Sequence, residues 1–575
     1  MTKKKQNKKT QSLLQLGLFA GVVIFINILA NARFGDQPLY TYWDMTEEKR
    51  YTLTDPTLEL LQDLDDVVTV RVLLEGAFPA GFKRLQTNVQ DILDDFRSES
   101  GYIEYEFVDP RAGNPEEVNA LAQQLEEQGI RPITLTVRSS GEQSQKLIYP
   151  YAIFYYKGRS LPVNFLENEV PGMPQEVVLN NSISLLEYKF ANAIQKLRNP
   201  KKPPIVFTSG HGELIPLETA DLERTLRAFY DTGRLHLDSV VTLSQDIAVL
   251  VVAKPTRPFS EKDKFKIDQY IMNGGKVLWL LDALRVDLDS LRRPEGYVPV
   301  EYDLNIDDLL FRYGIRIQPN LVLDLQSTRI PLASGMMGNA PQFDYKKYPY
   351  HPVVTAASEH PVVKGLGPVN LFYPSSLDMA VRTKTKVRKT PLLSSSERSM
   401  LQYPPLRMDF EFLRYELDPA RFDEGRQPVA MLLEGTFPSM YENRVTEGML
   451  AGLQQLDLEF KAESVDNRMI VVADGDVARN NVNWEKQSFS PLGFNEFERY
   501  RFANKDFIIN ALEYLIDDRG IIEARGKEVK LRLLDQAQAR AETTKWRLIN
   551  ILAPLFFLAL FGIGYNYIRR RRYAK

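Results

Sequence analysis

Pro204-Ile205-Val206-Phe207-Thr208-Ser209-Gly210-His211-Gly212-Glu213 decides the fold of this chain. Its first five residues are apolar and β-branched without helical period, as in a strand buried on both faces. The run then breaks into glycines that permit a tight turn. Residues 247–253 (IAVLVVA) and 276–281 (KVLWLL) repeat the pattern, and residues 221–230 and 260–272 between them read as helices. Ser260 with Asp263 resembles a capping box with Asp in the acceptor place, and Asn273-Gly274-Gly275 closes that helix. Strands spaced by helices predict an α/β domain with a parallel, doubly wound sheet. Further on, residues 305–313 read as a helix and 321–325 as a strand. Residues 369–372 are strand-like, 429–433 and 469–473 are returning strands, and 506–516 is an apolar helix. Residues 326–428 read as an irregular insertion rich in Pro, Ser and Tyr.

Upstream, residues 67–74 (VVTVRVLL) predict a strand. Leu85, Val89, Ile92, Leu93 and Phe96 give residues 82–96 a helical spacing. A strand at 103–108, a helix at 116–128, a strand over 129–137 and a hairpin of 148–156 with 160–165 follow. A helix at 182–196 then leads to the next domain. The order βαβαββ resembles a thioredoxin-like domain over residues 67–198. A short echo links Leu73-Leu74-Glu75-Gly76-Ala77-Phe78-Pro79 to Leu432-Leu433-Glu434-Gly435-Thr436-Phe437-Pro438, and reads best as a repeated strand-to-loop turn.

The ends are apolar. Residues 13–30 and 548–568 carry no charge, and a helix rising ~1.5 Å per residue needs about 20 such residues to cross a bilayer core. Lys3, Lys4, Lys5, Lys8 and Lys9 precede the first run, and Arg569 to Arg572 follow the second. Short basic flanks stay cytoplasmic. Tyr40, Tyr42, Trp43 and Trp546 suit the opposite interface. The expected order is therefore a basic tail (1–12), transmembrane helix (13–31), linker (32–66) and thioredoxin-like domain (67–198). An α/β domain (204–520), connecting helix (521–546), transmembrane helix (548–568) and basic tail (569–575) follow. Both ends would be cytoplasmic and the large middle periplasmic, in a cell inner membrane. The rival for the first span is a signal peptide cut near Ala30-Asn31-Ala32.

Lys and Arg total 72 against 75 Asp and Glu, so no charge excess points to nucleic acid. The absence of cysteine excludes disulfides, thiolate catalysis and Cys-based metal sites, so a thioredoxin-like domain here is a scaffold. Gly274-Gly275-Lys276 is followed by Val277 and makes no P-loop. The apolar spans lack ionisable groups, which argues against an ion path through this chain alone.

Ligands of doubly wound sheets sit outside the carboxyl ends of the strands. The candidate binding rim is accordingly Ser209, Gly210, His211, Gly212 and Glu213 after the first strand, Asp282 after the third, and Asp474 and Asp476 after the strand at 469. No residue is assigned a catalytic role, and no metal or cofactor is expected, because His211 and Glu213 alone are a thin ligand set. These glycines and carboxylates also suit turns that bond their own loops. His351 and His360, each before a proline, read as loop residues. His236 reads as half-buried in a strand-like stretch.

Lys49-Arg50-Tyr51-Thr52-Leu53-Thr54 and the stretch from Val70 through Glu75-Gly76-Ala77-Phe78-Pro79 to Leu85 resemble the GldG family. This is the gliding-motility-associated auxiliary protein of Bacteroidota ABC transporters. Phe207 to Glu213, Gly275-Lys276-Val277-Leu278-Trp279, Ala473-Asp474-Gly475-Asp476 and the ending Trp546 to Pro554 are similar to the same family. The resemblance implies a polytopic permease and a cytoplasmic ABC ATPase as partners, with membrane lipids around the spans. Two copies per complex would suit a symmetric transporter. It also implies a glutamine-amidotransferase-like fold for the central region, whose catalytic nucleophile is a cysteine that this chain lacks. The expected role is a non-enzymatic subunit. A membrane-tethered hydrolase using the His211 rim and a tethered solute-binding protein are the alternatives.

Overall fold

A computed structural model describes residues 8–30, 33–34, 37–38, 52–76, 78–139, 142–167, 174–292, 296–337, 340–454, 459–526 and 542–573. Lys3 to Lys5, Tyr40, Tyr42, Trp43, Lys49 to Tyr51, Ala77 and most of the expected connecting helix lie outside the described residues. The chain divides into two compact units, Met1–Glu528 and Val529–Lys575.

In the first unit, helix α1 is Lys8–Ala30, and its apolar stretch is Gln15–Asn27. Helix α2 (Asp55–Gln62) starts on Pro56, whose fixed φ suits a first turn. Strand β1 (Val68–Val72), helix α3 (Ala80–Glu99), strand β2 (Ile103–Phe107) and helix α4 (Pro115–Glu127) follow. Asn114 and Glu117 form a reciprocal capping box at the start of α4. Strands β3 (Ile133–Ser139) and β4 (Glu142–Ile148) form a two-stranded sheet of their own among the described residues. Strands β5 (Tyr151–Tyr156) and β6 (Arg159–Asn164) complete a sheet of order β2-β1-β5-β6, with β1 and β2 parallel and the rest antiparallel. The strand expected over 129–137 is thus half of a separate ribbon, because strand propensity does not say which edge a strand joins. The helix expected over 182–196 is two, α5 (Gln175–Ser184) and α6 (Leu186–Arg198), meeting at Leu185.

The central sheet begins with β7 (Pro204–Ser209), helix α7 (Ala220–Leu226), β8 (Asp231–His236), β9 (Val249–Ala253), helix α8 (Glu261–Met272) and β10 (Lys276–Leu280). Helix α9 (Asp307–Tyr313), β11 (Leu321–Asp324), β12 (Ser327–Met337) and β13 (Ala340–Ala356) come next. They are followed by β14 (Val387–Ser394), β15 (Ser399–Gln402), β16 (Pro428–Gly435), β17 (Asn467–Val472) and helix α10 (Asn504–Ile516). The main sheet has ten strands, in the order β8-β7-β9-β10-β17-β16-β14-β13-β12, with the short strand Val369–Asn370 pairing β13. β8, β7, β9, β10 and β17 are parallel, as expected. β16, β14, β13 and β12 are antiparallel, so the sheet is mixed and not wholly doubly wound. A strand buried on both faces shows the same apolar run in either direction, so its polarity is invisible to periodicity.

Residues 326–428 are not irregular. They supply the long β12–β13 ribbon and β14 to the main sheet, while β15 pairs β11. Tyr348, Tyr350, Tyr373, Met408 and Phe422 bury a core of their own beneath them. The region hid because its ribbon is studded with Pro331, Pro341, Pro349 and Pro352, which normally mark non-strand. His351 is correspondingly no loop residue: it lies in β13, buried at 3 % exposure. His236 is exposed at the end of edge strand β8, and not half-buried. His360 does lie in a loop, where its Nδ1 accepts from the backbone N–H of Val362.

Each face of the main sheet has a core. On one, Leu250, Val252, Trp279 and Val471 pack with Phe265, Ile267 and Ile271 of α8. On the other, Phe207, Val251, Leu278 and Ile470 share one continuous core with Phe507 and Leu512 of α10 and with Phe96, Phe154 and Phe190. Residues 52–198 and the central sheet are therefore packed on one another through α6. The same side holds a clasp. Asp63 accepts from Arg198 at 3.2 Å and from Arg519 at 3.0 Å, and Glu187 accepts from Thr54 N at 2.7 Å and Oγ1 at 2.9 Å. Residues 52–63 and 517–526 so lie side by side, with Pro56 against Gly520.

The two glycines of the sequence echo share a backbone conformation and not a turn: Gly76 lies beyond the end of β1 and Gly435 is the last residue of β16, with φ of +132° and +130°, a region that residues with a Cβ rarely adopt. A Cβ at Gly435 would also stand 2.3 Å from the Lys386 carbonyl oxygen.

In the second unit, helix α11 (Thr543–Tyr573) contains Pro554. Residues Thr543–Arg572 are long and apolar enough to cross a membrane, and Arg570 to Arg572 stand in its last turn.

Candidate functional site

The eight rim residues do not gather in one place. They fall into two clusters at the carboxyl ends of the parallel strands.

The first cluster surrounds His211. The turn after β7 carries Gly210 at φ +116° and Gly212 at φ +76°, and a Cβ on Gly212 would meet Thr256 Oγ1 at 2.1 Å. That close approach lets the His211 carbonyl accept from Thr256 N at 2.8 Å and Arg257 N at 2.9 Å. Ser209, the last residue of β7, is half-buried and paired in register with His236. The His211 ring is stacked on Phe259, centroids 4.0 Å apart. Its Nδ1 faces Glu213 Oε1 at 3.5 Å and its Nε2 faces Asp263 Oδ2 at 3.4 Å. Glu213 also accepts from the His211 backbone N–H at 2.6 Å. Asp263 accepts from Ser260 Oγ at 2.7 Å and pairs with Lys266 at 2.8 Å. Thus Ser260 caps α8 through its hydroxyl, while Asp263 turns toward the histidine instead of back to the Ser260 backbone.

Burial pushes His211 toward the neutral form, but Glu213 and Asp263 outweigh it and raise its pKa. Glu213 moves the other way: burial is overcome by His211 and backbone donors, which lower it. A histidine with a raised folded pKa adds stability that is complete below its unfolded pKa and is lost as pH rises through the folded value. Thermal melting of His211→Gln against the parent protein should therefore show a deficit at pH 5.5 that shrinks by pH 8.5. A deficit independent of pH would leave the ring with a packing role alone.

The second cluster is a buried charge network. Lys254, directly after β9, has φ +53°, an uncommon value for a residue with a side chain. Its Nζ pairs with Asp282 at 3.0 Å and, more closely, with Asp476. Asp282 Oδ1 accepts from Gly475 N at 2.5 Å. Asp474 accepts from Asp476 N at 2.7 Å and Phe372 N at 2.6 Å. Arg479 bonds Asp476 at 3.3 Å and Glu218 at 2.9 Å. Gly475 leaves space for this: a Cβ there would stand 2.7 Å from the Lys254 Cβ. The loops after β7, β9, β10 and β17 are all tied into it.

Burial raises Asp474 well above the ordinary carboxyl range, and the charges of Asp282 and Asp476 add to this. Burial also raises Asp282, against the pull of Lys254. Asp476 is lowered, since Lys254 and Arg479 outweigh its burial. Lys254 is raised, because the two carboxylates exceed its desolvation. Lys254 thus stands between Asp282 and Asp476, and Arg479 between Asp476 and Glu218.

Lys254, Arg479, Glu218, Asp263 and Phe259 were not foreseen. A signal existed for the first of them, since a lysine followed by proline ends the wholly apolar run 249–253. His351 lies beside this network, its ring 4.8 Å from that of Phe372 and 5.0 Å from that of Tyr373. Among the described residues no group of three or more His, Asp or Glu side chains is arranged to hold a metal.

The mixed α/β body, with its charged strand ends, stands in a chain that also carries a membrane-length apolar helix. Residues 202–511 match the family described as an ABC-type uncharacterized transport system, and the chain belongs to that auxiliary family of ABC transporters. Residues 47–155 match a domain family of unknown function. An uncharacterized protein of Borreliella burgdorferi is 22% identical over 410 residues, covering 70% of this chain and 74% of that protein. The solved structure titled mmIFT52 N-terminal domain superposes with a TM-score of 0.30 at 12% identity, covering 54% of this chain and 96% of that one.

Proposed function

We propose that this chain is a non-enzymatic subunit of an ABC-type membrane complex, working beside a polytopic permease and a cytoplasmic ATPase. In this reading the complex serves gliding motility, as in the GldG family of Bacteroidota that the sequence resembles. Residues 13–31 and 548–568 cross the inner membrane, both ends are cytoplasmic, and the body is periplasmic. The arginines that end α11 support that orientation. The body joins a thioredoxin-like region, supported by its β2-β1-β5-β6 order, to an amidotransferase-like one. Two copies per complex suit a symmetric transporter.

The observation that carries the non-enzymatic reading is the Lys254 network. A catalytic acid or base must be free to exchange a proton with substrate. Here the three aspartates of the rim, Asp282, Asp474 and Asp476, are bonded to Lys254, Arg479 and backbone N–H groups. The test is extraction of native membranes in mild detergent with a tag on this chain. A permease and an ATPase should copurify, and the chain alone should hydrolyse no ATP. Recovery as a lone monomer, or ATP hydrolysis by the purified chain, would overturn the proposal.

A further inference from the structure

At the end of the main sheet where its parallel strands begin, α9, the turn at 382–384 and the turn at 440–444 enclose a groove of ≈ 610 Å³. Phe311 of α9 stands in it 54% exposed, while Leu309, Leu310 and Tyr313 of the same helix are buried. A lone exposed phenylalanine needs no explanation. This one is ringed by cations. Glu442 is already taken by Arg312 at 2.5 Å and by Lys384, and Asp308 by the buried Lys264 at 2.9 Å. Arg316, Arg382 and Arg444 line the same groove and are exposed, and among the described residues none of them forms an ion pair. Asp307 is the remaining acidic side chain in the lining.

Guanidinium groups present a planar fork of donors matched to carboxylates, and arginine with aromatic residues forms the energetic centre of protein interfaces. We infer that this groove docks an acidic peptide segment of a partner protein. Its carboxylates would meet Arg316, Arg382 and Arg444, and an apolar side chain would lie on Phe311. Charge decides against a second copy seated by the same patch, because a two-fold contact would set these arginines against themselves. The inference does not depend on which complex the chain joins.

The test uses the full chain in detergent and a fluorescein-labelled peptide of alternating glutamate and phenylalanine, read by anisotropy. The peptide should bind at low ionic strength, weaken steeply with added salt, and lose its binding when lysine replaces glutamate. The triple variant Arg316→Ala, Arg382→Ala, Arg444→Ala should bind at least ~10-fold more weakly, with a nearly unchanged melting temperature because these exposed side chains form no ion pair among the described residues. Phe311→Ser should weaken binding while leaving its salt dependence intact. Absence of binding, or equal binding by the triple variant, would overturn the inference. So would arginine-dependent binding of phosphatidylglycerol vesicles in place of the peptide. If the triple variant melts early, the single Arg382→Ala variant and the lysine peptide still decide the matter.

Discussion

Replacing Lys254 with methionine should destabilise the body by ~3–5 kcal/mol, the usual cost of leaving a buried partner charge without its counter-ion. Asp282 and Asp476 are the stranded groups, with side chains 8% and 12% exposed. Arg479 still reaches Asp476, but among the described residues no other cation pairs with Asp282. Adding Asp282→Asn to Lys254→Met should recover part of the loss, since it removes the orphaned charge. Urea unfolding followed by the fluorescence of Trp279, fully buried in β10, measures both. A loss below ~1 kcal/mol would mean that water solvates the network. The rim would then be open to ligands, and the non-enzymatic reading would lose its main support.

Acid should weaken the body through His351, and here the expected effect is nearly as large. Burial lowers its pKa from 6.5 to about 3, with Asp476 opposing. Among the described residues its Nε2 has no hydrogen-bond partner, so the protonated ring would carry an unmatched charge among Tyr348, Phe372 and Tyr373. The folded pKa lies below the unfolded one, so the unfolded chain takes up the proton first. Stability is then full above pH 6.5 and falls as the pH drops toward 3, by ~1.4 kcal/mol per pH unit for one proton. His351→Phe keeps an aromatic ring and removes the proton site. Its stability between pH 7 and pH 4 should decline less steeply than the parent's by that slope. Parallel declines would sink the idea.

These two experiments touch what the sequence showed unevenly. β7, β9, β10 and β17 were legible because a strand covered on both faces has no room for polar residues. Their partners β16 and β14 were harder, since apolar runs carry no sign of direction. The β12–β13 ribbon was unreadable for another reason. Its prolines sit in a two-stranded extension with shifts of register at Ser327/Arg329 and Ala333/Gly335, where missing ladder bonds are tolerated. Within the rim, Asp282, Asp474 and Asp476 each follow a buried strand, and the fold brings their side chains together around Lys254. The Ser209 to Glu213 turn drew notice for its glycines, but it lies in a separate cluster because Asp263 and Phe259 hold His211 against the start of α8. Lys254 stands at the end of β9 one position short of the level of Asp282 after β10. Only the fold shows that two strand ends, distant in sequence, have opposite charges to share.

The Asp63 clasp has a mechanical consequence. Residues 52–63 and 517–526 are bound to each other and to α6 through Arg198, Arg519 and Glu187. A pull applied between these two segments loads that small knot of ion pairs first, and the central sheet hangs outside the line of tension like a weight on a loop of cord.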